Sequence, residues 1–330
     1  MYVSALPFHH LLAPLYVNGA LAVPAFWFIS GVIFITFYRI QIENKRISFF
    51  TFIVNRFSRL YPLHLLTLLI VAVLQYVFFK RYGMHFIYNN NNLPHFLQNL
   101  LFIQNWFSRE STFNGPSWSI SVELFVYIIF FITSAAGILK YVWANMLLIL
   151  FFLVCFISHQ GLIQFNECFF FFFSGCLLGR IKGIFGKRGV FYAIGMLVYL
   201  FLYWVIEKYS TVKLNTMVSG IFGTFNNMVC FAALLLVIHL IFKMLLLKIV
   251  PERVFVKMGN LTYSMYLLHF PLQICFFLVL RPYGYVVFNS PWVLLVFVVL
   301  TMLLGYITAT WFEKPVQHYL RKKLLAWERD

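Results

Sequence analysis

Long apolar runs, each able to form a helix hidden from water, alternate along the chain with short polar or basic connections. A helix needs about 20 apolar residues to cross a hydrocarbon core about 30 Å thick. The pattern predicts complete transmembrane helices over Leu21–Phe37, Leu63–Phe79, Trp118–Ser134, Tyr141–Ser158, Phe165–Leu178, Val190–Ile206, Met217–Leu247, Met258–Leu280 and Trp292–Phe312. Leu93–Phe107 is aromatic but broken by Asn99, Gln104 and Asn105, so it is expected to be interfacial or re-entrant. Met1–Pro14 is apolar but too short to cross, and reads as the end of a truncated first helix finishing on the outer side. Neither a basic leader nor a small-residue cleavage site marks a signal peptide. The expected fold class is all-α: a polytopic integral membrane protein of nine complete transmembrane helices plus that incomplete first one, in a single domain over residues 1–330.

Composition narrows the class. The chain is 62% hydrophobic and 10% charged, where a soluble domain is nearer 45–50% apolar and about 25% charged. Too few polar residues exist to coat a soluble enzyme, and disordered, collagenous and disulfide-scaffold classes are excluded with it. Cys155, Cys168, Cys176, Cys230 and Cys275 all lie in apolar stretches without metal-like or disulfide-like spacing, and read as packing residues.

Twenty-five Lys and Arg against nine Asp and Glu give a net charge of +16. Nucleic-acid binding is one reading of such an excess, but these charges sit between apolar runs, where bilayer topology explains them better. If Arg39–Arg59 is cytoplasmic, alternation puts Lys140, Arg180–Arg188, Lys243–Lys257 and Lys314–Arg329 on the same side. That side then holds 19 of the 25 basic residues, leaving Lys80, Arg81, Arg109, Lys208, Lys213 and Arg281 outside. The asymmetry predicts a cytoplasmic C-terminus.

Polar groups inside such a bundle carry the candidate chemistry, because each is costly unless it faces a cavity or a partner. In Phe8-His9-His10, a histidine can take a proton from a hydroxyl near neutral pH, or the pair can anchor a helix end. Arg56 and Arg59 share a helix face; their planar forks suit phosphate, and equally suit anchoring at the inner surface. Pro116 opens the helix that carries Ser119 and Glu123 one turn apart, where a carboxylate can orient a histidine, bind a hydroxyl or pair structurally. Thr262, Tyr266 and His269 form a stripe suited to a polar cavity or to bonding neighbouring helices. Gly175 and Gly179 suit close helix packing. The basic loop Gly183–Gly189 has a weak phosphate-binding character. Glu313-Lys314-Pro315 reads as a structural stop with an ion pair, and Asn89–Asn92 as a solvated loop.

In this order, the clusters resemble the acyltransferase 3 family, membrane proteins that modify cell-surface glycans. The likeness runs through Phe8-His9-His10, Phe28-Ile29-Ser30-Gly31, Arg56-x-x-Arg59-Leu60-Tyr61-Pro62 and Pro116-Ser117-Trp118-Ser119-Ile120-Ser121-Val122-Glu123. It continues in Gly175–Gly179, Ser264-Met265-Tyr266-Leu267-Leu268-His269-Phe270-Pro271 and Glu313-Lys314-Pro315. The resemblance implies a multi-pass enzyme of the bacterial inner membrane that moves an acyl group, commonly acetyl, from cytoplasmic acyl-CoA to a carbohydrate hydroxyl. Acceptors would be O-antigen, exopolysaccharide, peptidoglycan-linked or glycolipid sugars, with no metal and no nucleic acid. It implies catalysis by His9 or, second, His10, and donor-phosphate contacts from Arg56 and Arg59. Glu123 would orient the histidine or the sugar, and Ser119, Tyr266 and His269 are the substrate or oxyanion candidates. Family members carry an arginine upstream of the first-helix histidine, and the chain begins too late to include it; a truncated, inactive or merely glycan-binding relative is the consequent alternative. The stand-alone form, without an appended hydrolase-like domain, is expected. A transporter or flippase for acyl groups or lipid-linked sugars is the rival from another class.

Overall fold

The structure, a computed structural model, describes residues 6–107, 110–158, 163–181, 188–209, 216–241 and 252–326. Every regular element among them is helical. Among the described residues, five stretches are long and apolar enough to cross a membrane: His9–Phe37, Phe49–Tyr82, Gly115–Ala135, Leu261–Tyr283 and Pro291–Ala326. Val142–Phe156, Gly189–Leu202 and Phe225–Ile241 are shorter apolar helices.

Two features differ from the hydropathy pattern. The described chain enters helix at His9, where the pattern anticipates a helix ending, after Phe8 adopts a left-handed conformation (φ 54°). Helix α1 (His9–Asn18) continues through a 3-10 turn at Gly19–Leu21 into α2 (Ala22–Phe37). Beyond the short α3 (Arg39–Glu43), the predicted Leu63–Phe79 span is the distal part of a 34-residue helix, α4 (Phe49–Tyr82). Ser48 caps it by accepting from Thr51 N–H at 3.0 Å, and Gly83 ends it at φ 69°, a conformation glycine adopts without steric cost. Arg56 and Arg59 therefore both lie within α4, one turn apart.

The chain folds into two compact units, Met1–Ala20 with Ser48–Phe125 and Arg253–Asp330, and Leu21–Ile47 with Val126–Glu252. In the second, α2 packs on α8 (Ile163–Gly179) through glycines. A Cβ added to Gly31 would lie 1.9 Å from the Phe172 carbonyl oxygen, and one on Gly175 would lie 1.9 Å from that of Phe28. The close packing expected of Gly175 and Gly179 is therefore realised against Phe28, Val32 and Ile35. Phe34 stacks on Tyr127 at 4.2 Å and meets Phe130 and Phe172 edge to face. Arg39 and Arg180 both donate to the Leu139 carbonyl. The loop residues 182–187 lie outside the described residues. α7 (Val142–Ile157) also packs on α8, and α10 (Thr216–Ile241) packs on α9 (Arg188–Tyr209).

In the first unit, the connection after α4 folds back onto it. Tyr61 donates to the Leu100 carbonyl at 2.8 Å, the buried His64 ring meets the Asn99 carbonyl at 2.7 Å, and Gln75 exchanges two bonds with the Phe86 backbone. The segment expected to be re-entrant is the helix α5 (Leu93–Leu100) and the irregular chain after it. It is held to α6 (Trp118–Ala135) by Ser121 donating to Phe102 O and Trp106 donating to Ser121 O, both at 3.0 Å. Leu68, Val71, Phe78, Phe86, Phe113, Phe270 and Ile274 form the apolar core beside it.

Helix α11 (Glu252–Leu280) contains Pro271, which has no N–H to offer the Leu267 carbonyl one turn back. Asn114 supplies the missing donor at 3.3 Å. The last span, α12 (Pro291–Thr308), meets Met265 at Gly305, widens into a π turn at Ala309–Glu313 and continues as α13 (Lys314–Ala326), which packs along α4. Pro315 cannot donate to the carbonyl four residues earlier, and its ring crowds that carbonyl, so a widened turn at this point has a local cause.

Candidate active site

Polar side chains converge in the first unit where α4, α6, α11 and the π turn carry them. From α11, Tyr263 donates to the Leu60 carbonyl, beside Arg59 in the α4 sequence. Its neighbour Ser264, fully buried, donates to Glu313 Oε2 at 2.6 Å. Glu313 is only 6% exposed, yet it is a carboxylate; Arg59 and Lys314 act on it electrostatically. The charges of Glu313, Arg59 and Glu123 all reach the Tyr263 hydroxyl.

One turn further along α11, the Tyr266 hydroxyl lies 2.9 Å from both Ser119 Oγ and the Pro116 carbonyl oxygen. Ser119 also contacts that carbonyl, at 3.2 Å. Two hydroxyl protons serve three short contacts, so one hydroxyl can turn toward a ligand oxygen at the loss of a single bond. Glu123, on the Ser119 face of α6, acts electrostatically on Tyr266, as does Tyr88. Tyr88, in the connection after α4, lies over Gly115, where a Cβ would fall 2.0 Å from its ring. Burial pushes its hydroxyl above the usual phenol value, so Tyr88 stays a donor at neutral pH.

The candidates that sequence pattern singles out are thus partly gathered. Arg59, Ser119, Glu123 and Tyr266 belong to this cluster. Arg56 is one turn from Arg59 on α4. The His269 ring lies 5.8 Å from that of Tyr266, against the Met265 and Tyr266 carbonyls of its own helix. Thr262, expected on the Tyr266–His269 stripe, is exposed and donates to the Gly259 carbonyl. His9 and His10 meet each other edge to face at 6.0 Å, and no described hydrogen bond or ion pair joins either to the cluster. Among the described residues, no group of three or more His, Cys, Asp or Glu side chains is placed to hold a metal.

Hydropathy and spacing do not mark Tyr88, Tyr263, Ser264 or Glu313 as site residues. Tyr263 and Ser264 adjoin the Tyr266 stripe, and Glu313 looks like a helix stop because its motif ends an apolar run. The available signal is its carboxylate, one of only nine acidic side chains in the chain, within a span.

No curated protein and no solved structure matches the chain. The family model described as an acyltransferase domain matches residues 1–310, nearly the whole length of this all-helical membrane protein. The chain belongs to the acyltransferase 3 family.

Proposed function

We propose that the protein is a membrane O-acyltransferase that moves an acyl group, acetyl above all, from acyl-CoA to a hydroxyl of a cell-surface glycan or lipid-linked sugar. The observation that carries this reading is the buried and half-buried polar cluster of Arg59, Glu313, Ser264, Tyr263, Glu123, Ser119 and Tyr266 in an apolar bundle, in which hydrogen bonds join Ser264 to Glu313 and Tyr266 to Ser119. Polar groups held within a membrane bundle pair with one another and mark the paths of polar substrates. Arg56 and Arg59 offer planar, permanently charged forks to the donor's phosphates, and α4 holds them on one face.

In the reaction, His9 or His10 takes the proton from the acceptor hydroxyl as its oxygen attacks the thioester carbon. The new C–O bond forms, the C–S bond breaks, and the histidine's proton passes to the departing coenzyme A thiolate. Glu123 orients the histidine or the sugar. Tyr266, turning from Pro116 or Ser119, donates to the developing oxyanion, with Ser119 and His269 as neighbouring donors. Cytoplasmic donor and outer-side acceptor suit an enzyme of the bacterial inner membrane with its C-terminus in the cytoplasm.

Membranes containing the protein, supplied with labelled acetyl-CoA and envelope glycans, test this. The expected result is labelled ester, lost when both His9 and His10 become alanine and restored by one of the single variants. Undiminished transfer by the double variant would remove the histidines from catalysis. Movement of label across the bilayer without ester formation would favour a transporter.

A further inference from the structure

Helix α4 bears a second group of cations at its far end. From Arg59 to Lys80 is about 32 Å of helix at 1.5 Å per residue, close to the thickness of a hydrocarbon core. Lys80, Arg81 and Arg281 are three of the six basic residues that the charge asymmetry leaves on that minority side, where the positive-inside tendency gives them no support. Two of them, Arg81 and Arg281, are gathered at one aromatic ring. Arg281, in the 3-10 turn Arg281–Tyr283 after α11, places its guanidinium carbon 4.2 Å from the Tyr82 ring centroid, with Phe78 and Tyr285 each at 5.9 Å. Arg81 lies 5.6 Å from the same Tyr82 ring and donates to the Leu278 carbonyl at 3.0 Å. Lys80 lies over Tyr76 at 5.6 Å.

Two guanidinium groups over one ring are no more than about 10 Å apart, comparable to a Debye length, so they repel. Among the described residues, no carboxylate forms an ion pair with Lys80, Arg81 or Arg281; nearby in sequence, Glu110 is engaged by Asn90 and faces His95. Each guanidinium has five N–H donors, and the Leu278 carbonyl occupies only one of Arg81's. The Tyr82 hydroxyl, buried beside these side chains, has no hydrogen-bond partner among the described residues. Exposed Tyr283 and Tyr285 border the group as interfacial aromatics do.

We infer that Arg81 and Arg281 form an anion site for the phosphate of a membrane-anchored amphiphile. An anion would relieve the repulsion and take the unspent donors, while the aromatic border would face its apolar tail. The same chemistry fits the phosphate of an anionic phospholipid or of a polyprenyl-linked sugar carrier. The inference does not depend on the acyl-transfer reading, and its test needs no turnover.

Full-length protein in a phosphate-free maltoside detergent would be titrated with phosphatidylglycerol, a polyprenyl monophosphate and inorganic phosphate, with bound adducts counted by native mass spectrometry. At least one amphiphile should bind, and Arg81→Gln combined with Arg281→Gln should weaken it roughly tenfold or more. Preference between the two amphiphiles identifies the source. Equal binding by the double variant, no binding to the wild type, or an effect confined to inorganic phosphate would overturn the site. If the double variant fails to fold by thermal melting, Arg81→Gln and Arg281→Gln test the site singly: weaker amphiphile binding by either supports it, and unchanged affinity in both rejects the inference.

Discussion

Single side chains here decide whether buried polarity is tolerable. The Ser264 hydroxyl donates to Glu313 Oε2, and both residues are buried. Ser264→Ala should cost about 1.5–3 kcal/mol, the range for a hydrogen bond to a charged group. Glu313→Gln should reduce the effect of the Ser264 change, because an amide oxygen asks less of its donor than a carboxylate. Thermal unfolding of the two single variants and the double variant in detergent checks this; strictly additive losses would show that the two side chains are not coupled. Ser119, Glu123 and Arg59 are legible as site candidates because each is a polar residue in an apolar context. Glu313 is not, since its partner Ser264 lies far away in sequence and periodicity carries no information about which distant helix a carboxylate meets.

At the scale of elements, hydropathy locates the apolar segments but not where helix stops. α4 begins well before its apolar run, since Arg56 and Arg59 interrupt hydrophobicity without interrupting helix; arginine is a good helix former. The π turn before Lys314 leaves no hydropathy signal either, because widening one turn changes backbone geometry and not composition. The α2–α8 contact is half legible: small residues announce close approach, but the partner comes only from the fold. Gly31→Ala and Gly175→Ala should each lower the melting temperature markedly, because the added carbon would overlap a backbone carbonyl that cannot swing aside. Gly195→Ala on α9, where nothing lies within 4 Å, should be neutral or stabilising by about 0.5–1 kcal/mol through reduced backbone freedom. Equal melting of all three variants would deny the close approach of α2 and α8.

For the whole molecule, the chain's net positive charge is chiefly a topological signal, and it predicts sidedness. Single cysteines replacing exposed Asn92 and Lys322, in a cysteine-free background, should react with a membrane-impermeant reagent from opposite faces of the cell membrane, Lys322→Cys only after permeabilisation. Labelling of both from one face would invert or break the assigned topology. The two units also interleave along the chain: the one containing the polar cluster is drawn from three separated stretches. This sets an order of events during synthesis. At about 5–20 residues per second, the roughly 250 residues between Arg59 and Glu313 take on the order of 10–50 s to make. For that interval α4 waits without Ser264 and its carboxylate partner Glu313, and the cluster can close only when nearly all of the protein has left the ribosome.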